Sequence, residues 1–190
     1  MTEKRYEDIC KPHLINGAIL HTHFPFVKDY LCIHALIKKY KPKTFLEIGT
    51  NIGEGTNIIC NANPSMKVYS LDLPYELSNL SRQSPISEGK GRTTGSKCAF
   101  PFTQLWGNSM AYDYSKHIPI DAFYIDGEHT YGHVIYDTNS AVESGSKLII
   151  WHDANMDCVK DAIIDYFKLN KNYSLFQIKD TRIGYALKKI

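Results

Sequence analysis

Short apolar runs that end in polar residues or glycine recur along this chain, with helix-like stretches between them. The runs are TFLEIG at 44–49, KVYSLD at 67–72, a weaker TQLWG at 103–107, DAFYIDG at 121–127 and KLIIWHD at 147–153. Near-continuous apolar character with polar carboxyl-terminal ends is what strands buried on both faces of a parallel sheet require. Helix candidates fall at 53–61, carrying Ile58 and Ile59, at 133–143, and at 156–169, where Val159, Ile163 and Phe167 keep helical spacing. Ahead of the first run, Val27, Leu31 and Ala35 mark a helix face that ends near Lys41-Pro42. Strand and helix in alternation predict an open α/β sheet with right-handed crossovers.

The end of the chain breaks this rhythm. The strand-like runs 173–179 and 183–188 are separated only by Asp180-Thr181-Arg182. Three residues cannot hold a crossover helix, so the pair is expected to be an antiparallel hairpin.

Composition narrows the function classes. With 190 residues, 43% of them hydrophobic, the chain can bury one sizeable core. A charged fraction of 22% with 12% aromatics excludes a disordered chain. The net charge of +2 gives no bulk electrostatic case for nucleic acid. No apolar run approaches the roughly 18–20 residues that span a bilayer, so no membrane partner is expected. Five cysteines without C-x-x-C spacing argue against a disulfide scaffold or a cysteine zinc site. The opening MTEKRYEDICKPH has no apolar h-region, and a reducing, cytoplasmic setting is the expectation. Whether the chain forms a homo-oligomer stays open.

Residues 1–42 read as an N-terminal helical cap segment and 43–190 as the main domain, with an insertion at about 76–100. Across 76–98, Arg82, Lys90, Arg92 and Lys97 outnumber Glu76 and Glu88 among many Ser and Gly. Such a segment is either a solvated insertion or a lid whose cations meet an anionic or polar substrate.

Two constellations carry chemistry. The first is Glu47-Ile48-Gly49-Thr50-Asn51-Ile52-Gly53-Glu54-Gly55-Thr56, a glycine turn between strand and helix where a ligand can approach backbone amides. Its glycines do not fit G-x-G-x-x-G, and no G-K-[ST] follows, which argues against a nicotinamide or P-loop site. Asp72 closes the second run, where an acid can accept from ribose hydroxyls, although alone it is equally a turn or cap residue. Gly107-Asn108-Ser109 closes the third with small polar groups suited to an adenine edge. Together these strand ends describe an adenosine site.

The second constellation is Asp126-Gly127-Glu128-His129 after the fourth run, with His152-Asp153-Ala154-Asn155 after the fifth. Adjacent strands lie about 4.8 Å apart, so these side chains can converge. Carboxylates and an amide suit Mg²⁺, whereas ligation by His129 or His152 favours Mn²⁺ or Fe²⁺. The plain alternative makes Asp126 a helix cap and His129 a surface histidine. His21 and His23 could cover the site, but an i, i+2 pair alone makes none. Trp106, Trp151, Tyr131 and Tyr136 are expected in the core.

From about residue 25 to 190 the sequence resembles the class I S-adenosylmethionine-dependent methyltransferases, on Glu47-x-Gly49-x-x-x-Gly53, Asp72 and the terminal hairpin. The resemblance implies a Rossmann-like sandwich with a mostly parallel seven-stranded sheet, the last hairpin strand inserting beside the fifth run. It implies S-adenosylmethionine as cofactor, lined by Gly49 and Gly53, supported at its methionine end by Glu47 and held at its ribose by Asp72. The full candidate cofactor set is Glu47, Gly49, Asn51, Gly53, Gly55, Thr56, Asp72, Leu73, Asn108, Ser109 and Asp126. Relatives of this type often carry Ser or Thr two residues after the second glycine; here Gly55 stands there and Thr56 follows.

Asp-Gly-x-His with an acidic fifth-run end is similar to a small-molecule group that includes sugar and catechol O-methyltransferases and cephalosporin hydroxylase-like proteins. Several of its members hold a divalent metal at these strand ends. The resemblance implies Asp126, His152, Asp153 and Asn155 as ligands of Mg²⁺ or Mn²⁺, with His129 as general base beside Asp126. The expected activity is metal-assisted O-methylation of a small hydroxylated substrate such as a sugar. The alternatives are a hydroxylase-like or oxidoreductase relative and a non-catalytic cofactor-binding protein.

Overall fold

The structure is a computed structural model that describes residues 1–10, 27–74 and 94–189. Its strands are β1 (Thr2–Lys4), β2 (Thr44–Ile48), β3 (Lys67–Asp72), β4 (Thr103–Trp106), β5 (Ala122–Ile125), β6 (Leu148–Trp151), β7 (Tyr173–Ile178) and β8 (Gly184–Lys188). The helices are α1 (Tyr6–Ile9), α2 (Val27–Tyr40), α3 (Glu54–Ala62), α4 (Tyr131–Glu143) and α5 (Asp157–Leu169), with short 3₁₀ turns at Ser109–Ala111 and Tyr114–His117. No helix among the described residues is long and apolar enough to cross a membrane.

All five apolar runs are strands, and with β1 and the terminal hairpin they form one mixed eight-stranded sheet in the order β1-β7-β8-β6-β5-β2-β3-β4. Every neighbouring pair from β6 through β4 is parallel. The terminal hairpin is antiparallel, with Gln177 opposite Gly184, and β8 lies antiparallel beside β6. The sheet has one strand more than the seven expected: Thr2–Lys4 pairs in parallel with β7 and covers its outer edge. The three-residue segment has too little sequence to show a period, which is why it does not stand out as a strand.

The central strands β5 and β6 are buried at every position, as helices on both faces demand. One core lies toward α2 and α3, around Phe45, Ile58, Tyr124 and Ile150. The other lies toward α4 and α5, around Phe123, Trp151, Ile163 and Phe167. Helix α2 buries Asp29, Cys32, Ile33, Leu36 and Ile37, so the buried stripe is rotated from Val27, Leu31 and Ala35, which are half-buried.

Three aromatic expectations are corrected. Trp151 is core and donates its indole N–H to Thr138, but Trp106 is 50% exposed. It ends β4, the last strand of the sheet, where only β3 lies alongside. Tyr131 and Tyr136 are also exposed, on the outer surface of α4.

Candidate functional site

At the carboxyl edge of the sheet the glycine loop and the acidic cluster meet through backbone. Gly49 has φ of +101°, and a Cβ there would lie 2.1 Å from the carbonyl oxygen of Asp126. Only glycine lets the β2 loop come this close to the end of β5. The contact is fixed by Asp126 N donating to the Ile48 carbonyl and Gly49 N donating to that of Leu71. Gly53, at φ of +89°, caps α3.

Glu47 sits beneath this loop, 1% exposed. Its Oε2 accepts the hydroxyls of Thr56 and Ser70, while Oε1 is buried with no hydrogen-bond partner among the described residues. Burial pushes the carboxyl up to about 8, against the pull of those two hydroxyls. A Cβ at Gly55 would approach Oε1 to 2.6 Å, so the glycine at this position makes room for the Glu47 carboxyl. Thr56 is buried with its hydroxyl turned inward to Glu47.

Asp72 takes up the turn role that was its plain alternative. Oδ2 accepts from Asn51 N at 2.6 Å and Oδ1 from Leu73 N at 2.8 Å, which shapes the loop. A carboxylate has about four acceptor positions, so two remain for ribose hydroxyls. Asn108 is exposed and caps the turn at Ser109 by accepting from Met110 N. Ser109 is half-buried, and its carbonyl accepts from the Tyr114 hydroxyl.

Of the basic insertion, Lys97 lies within the described residues, whereas Arg82, Lys90 and Arg92, and His21 and His23 of the N-terminal segment, lie outside them. Lys97 pairs with Glu54 at 3.4 Å, and Gly95 N and Lys97 N donate to the carbonyls of Asn51 and Ile52. The end of the insertion is thus laid against the glycine loop, not against the acidic cluster.

In that cluster, Asp126, His152 and Asp153 each offer one ligand atom, all within 4.8 Å of one another. His152 Nδ1 lies 3.0 Å from Asp153 Oδ2 and 3.4 Å from Asp126 Oδ1. His129 Nε2 lies 3.0 Å from Asp153 Oδ2 and 3.7 Å from Asp126 Oδ1. Asp126 and Asp153 hold His129 up to about 9. Burial lowers His152, but Asp126, Asp153 and Asp29 overcome it and hold the ring at about 11. Burial works against both carboxylates as well, yet His129 and His152 keep Asp126 and Asp153 below the ordinary range. Asp153 itself is left-handed, at φ of +49°. Asn155 is exposed two residues further on, and no described contact ties it to the cluster.

Three residues that the sequence did not single out complete the arrangement. Tyr124, buried in β5, donates its hydroxyl to Asp126 Oδ2 at 3.0 Å. Arg182, in the hairpin turn, donates to Asp153 Oδ1 at 3.1 Å. Asp29 of α2 faces His152 Nε2 at 3.4 Å. A charged residue continuing the buried stripe of α2 is the signal that could have marked Asp29; a turn arginine carries none.

No family model matches the sequence, and no curated protein does. Solved structures match the fold across nearly the whole chain. The SAH-bound methyltransferase PaMTH1 of Podospora anserina is 12% identical, with a TM-score of 0.63 over 93% of this chain and 89% of that one. The O-methyltransferase of Bacillus cereus in complex with SAH is 14% identical, with a TM-score of 0.60 over 96% and 100%. The O-methyltransferase TomG of Streptomyces achromogenes, involved in tomaymycin synthesis and solved with SAM, is 13% identical, with a TM-score of 0.60 over 93% and 91%. The chain therefore shares its fold with these methyltransferases.

Proposed function

We propose that this chain is an S-adenosylmethionine-dependent O-methyltransferase that acts on a small hydroxylated acceptor, such as a sugar, with a divalent cation at Asp126, His152 and Asp153. The observation that carries this reading is the contact between Gly49 and Asp126, which joins the glycine loop and the acidic cluster into one continuous edge. The fold similarity to O-methyltransferases solved with SAM or SAH supports the cofactor.

The residues fit both groups. Asp72 has acceptor positions left for the ribose, and Oε1 of Glu47, without a hydrogen-bond partner among the described residues, lies under the glycine loop. Asp126 Oδ1, Asp153 Oδ2 and His152 Nδ1 face one another as a mixed oxygen and nitrogen set, which suits Mn²⁺ or Fe²⁺ better than Mg²⁺. The sulfonium cofactor would supply the methyl group, and its leaving group needs no proton. The cation would supply Lewis acidity that lowers the pKa of the acceptor hydroxyl.

We assign His129 as the residue that takes the acceptor's proton; its side chain is 36% exposed, while Nε2 itself is buried and faces Asp153 Oδ2 at 3.0 Å. The same two carboxylates that would hold the cation keep this ring protonated at neutral pH. His129 therefore serves as a base when Asp126 and Asp153 are engaged elsewhere. The test is a calorimetric titration with S-adenosylmethionine, followed by methyl-transfer assays on sugars and catechols with and without Mn²⁺. Micromolar cofactor binding with Mn²⁺-stimulated transfer is expected. Binding without transfer to any hydroxyl would favour a non-catalytic cofactor-binding protein.

A further inference from the structure

The three facing donors share a pattern: each directs its second polar atom at another residue, by a hydrogen bond at Asp126 and Asp153 and by a 3.4 Å contact outside hydrogen-bond geometry at His152. Asp126 turns Oδ1 inward while Oδ2 accepts from Tyr124. Asp153 turns Oδ2 inward while Oδ1 accepts from Arg182. His152 turns Nδ1 inward while Nε2 faces Asp29 Oδ2. We infer that Asp29 is a positioning residue, whose carboxylate accepts the Nε2–H of His152 and so fixes Nδ1 as the ligating nitrogen. The inference rests on the cation reading proposed above and extends it to α2.

Asp29 is only 3% exposed. A carboxylate so buried is costly unless paired, and its partners divide between its oxygens. Oδ1 accepts Arg182 N at 3.0 Å, which anchors the hairpin turn to α2. Oδ2 lies 3.4 Å from His152 Nε2 and 3.7 Å from Arg182 Nε. Anchoring the turn needs one oxygen; the other is aimed at the imidazole. Carboxylates behind ligating histidines fix the tautomer and raise ligand basicity, and their loss typically weakens metal binding about 10–100-fold.

Asp29→Asn separates the two roles. The amide oxygen can still accept from Arg182 N, while the amide nitrogen meets His152 Nε2 as a donor and opposes its proton. Mn²⁺ titrated into the full chain, with free ion counted by electron paramagnetic resonance, is expected to bind D29N about 10–100-fold more weakly than the unaltered protein. Affinity for S-adenosylhomocysteine should be unchanged. Equal Mn²⁺ affinity overturns the positioning role alone. Failure of the unaltered protein to bind Mn²⁺ overturns this inference together with the cation reading. A measurement without any variant decides the point should D29N not fold: ¹⁵N shifts of the His152 ring in Zn²⁺-loaded protein. Nδ1 bound to metal with Nε2 protonated is expected, and the opposite tautomer overturns the inference.

Discussion

Gly49 and Asp126 are in backbone contact across β2 and β5, so close that a Cβ on Gly49 would stand 2.1 Å from the Asp126 carbonyl oxygen. Neither partner can yield, because Asp126 N is already bonded to the Ile48 carbonyl. Gly49→Ala adds this overlap to a left-handed φ that by itself costs about 1–2 kcal/mol. The variant is expected to lose several kcal/mol in urea unfolding, and its binding of S-adenosylmethionine with it. Gly132→Ala is the control: among the described residues, nothing beyond its chain neighbours and its own helix backbone lies within 4 Å of its Cβ position, and it sits in α4. That change should stabilise by up to about 1 kcal/mol.

Glu47 makes stability depend on pH. Its folded-state carboxyl is raised from 4.5 to about 8 by burial. Between those values the folded chain keeps a proton that the unfolded chain releases. Stability is therefore highest near the lower value and falls as pH rises toward 8, by at most about 1.4 kcal/mol per pH unit. Glu47→Gln keeps the shape without the titration and is expected to flatten that slope. Urea midpoints at pH 5 and pH 8 check this; an equally steep fall in the variant would assign the dependence to other groups.

The sheet was legible because buried parallel strands must be apolar throughout and must end in polar residues, as TFLEIG and KLIIWHD do. The same rule exposed Asp72, Asp126, His152 and Asp153, since strand ends are where such a sheet presents polar groups. Asp29 and Arg182 were not legible in this way. They reach the cluster from α2 and from the hairpin turn, and only the chain's path brings residues 153 apart into hydrogen-bond contact. Thr56 shows the reverse failure. Its place beside the glycine loop suggested a ligand contact, whereas helical phase turns it inward to Glu47.

Asp72 tests the adenosine site with a graded change. Asp72→Asn retains one acceptor oxygen and replaces the other by a donor, so either the bond from Asn51 N or that from Leu73 N is lost. A hydrogen bond to a charged acceptor contributes about 1.5–3 kcal/mol. Affinity for S-adenosylhomocysteine should fall roughly 10–100-fold by calorimetry. Mn²⁺ binding at the separate acidic cluster should be unaffected.

His129 is the sharper test of chemistry, because it lies on the exposed side of the cluster while His152 is buried within it. Removing a general base typically costs about 10²–10⁴ in rate. His129→Ala is expected to cut turnover by that range while leaving S-adenosylmethionine affinity within about twofold. His152→Ala should behave differently, losing Mn²⁺ binding and activity together because Nδ1 is one of three facing donors. Chelation should reproduce the His152 variant, with cofactor binding retained, and Mn²⁺ should restore turnover better than Mg²⁺ because the donor set includes an imidazole. Full activity after exhaustive chelation would remove the cation from the reaction, and with it His129 as the base, because pairing with Asp126 and Asp153 then keeps that ring protonated.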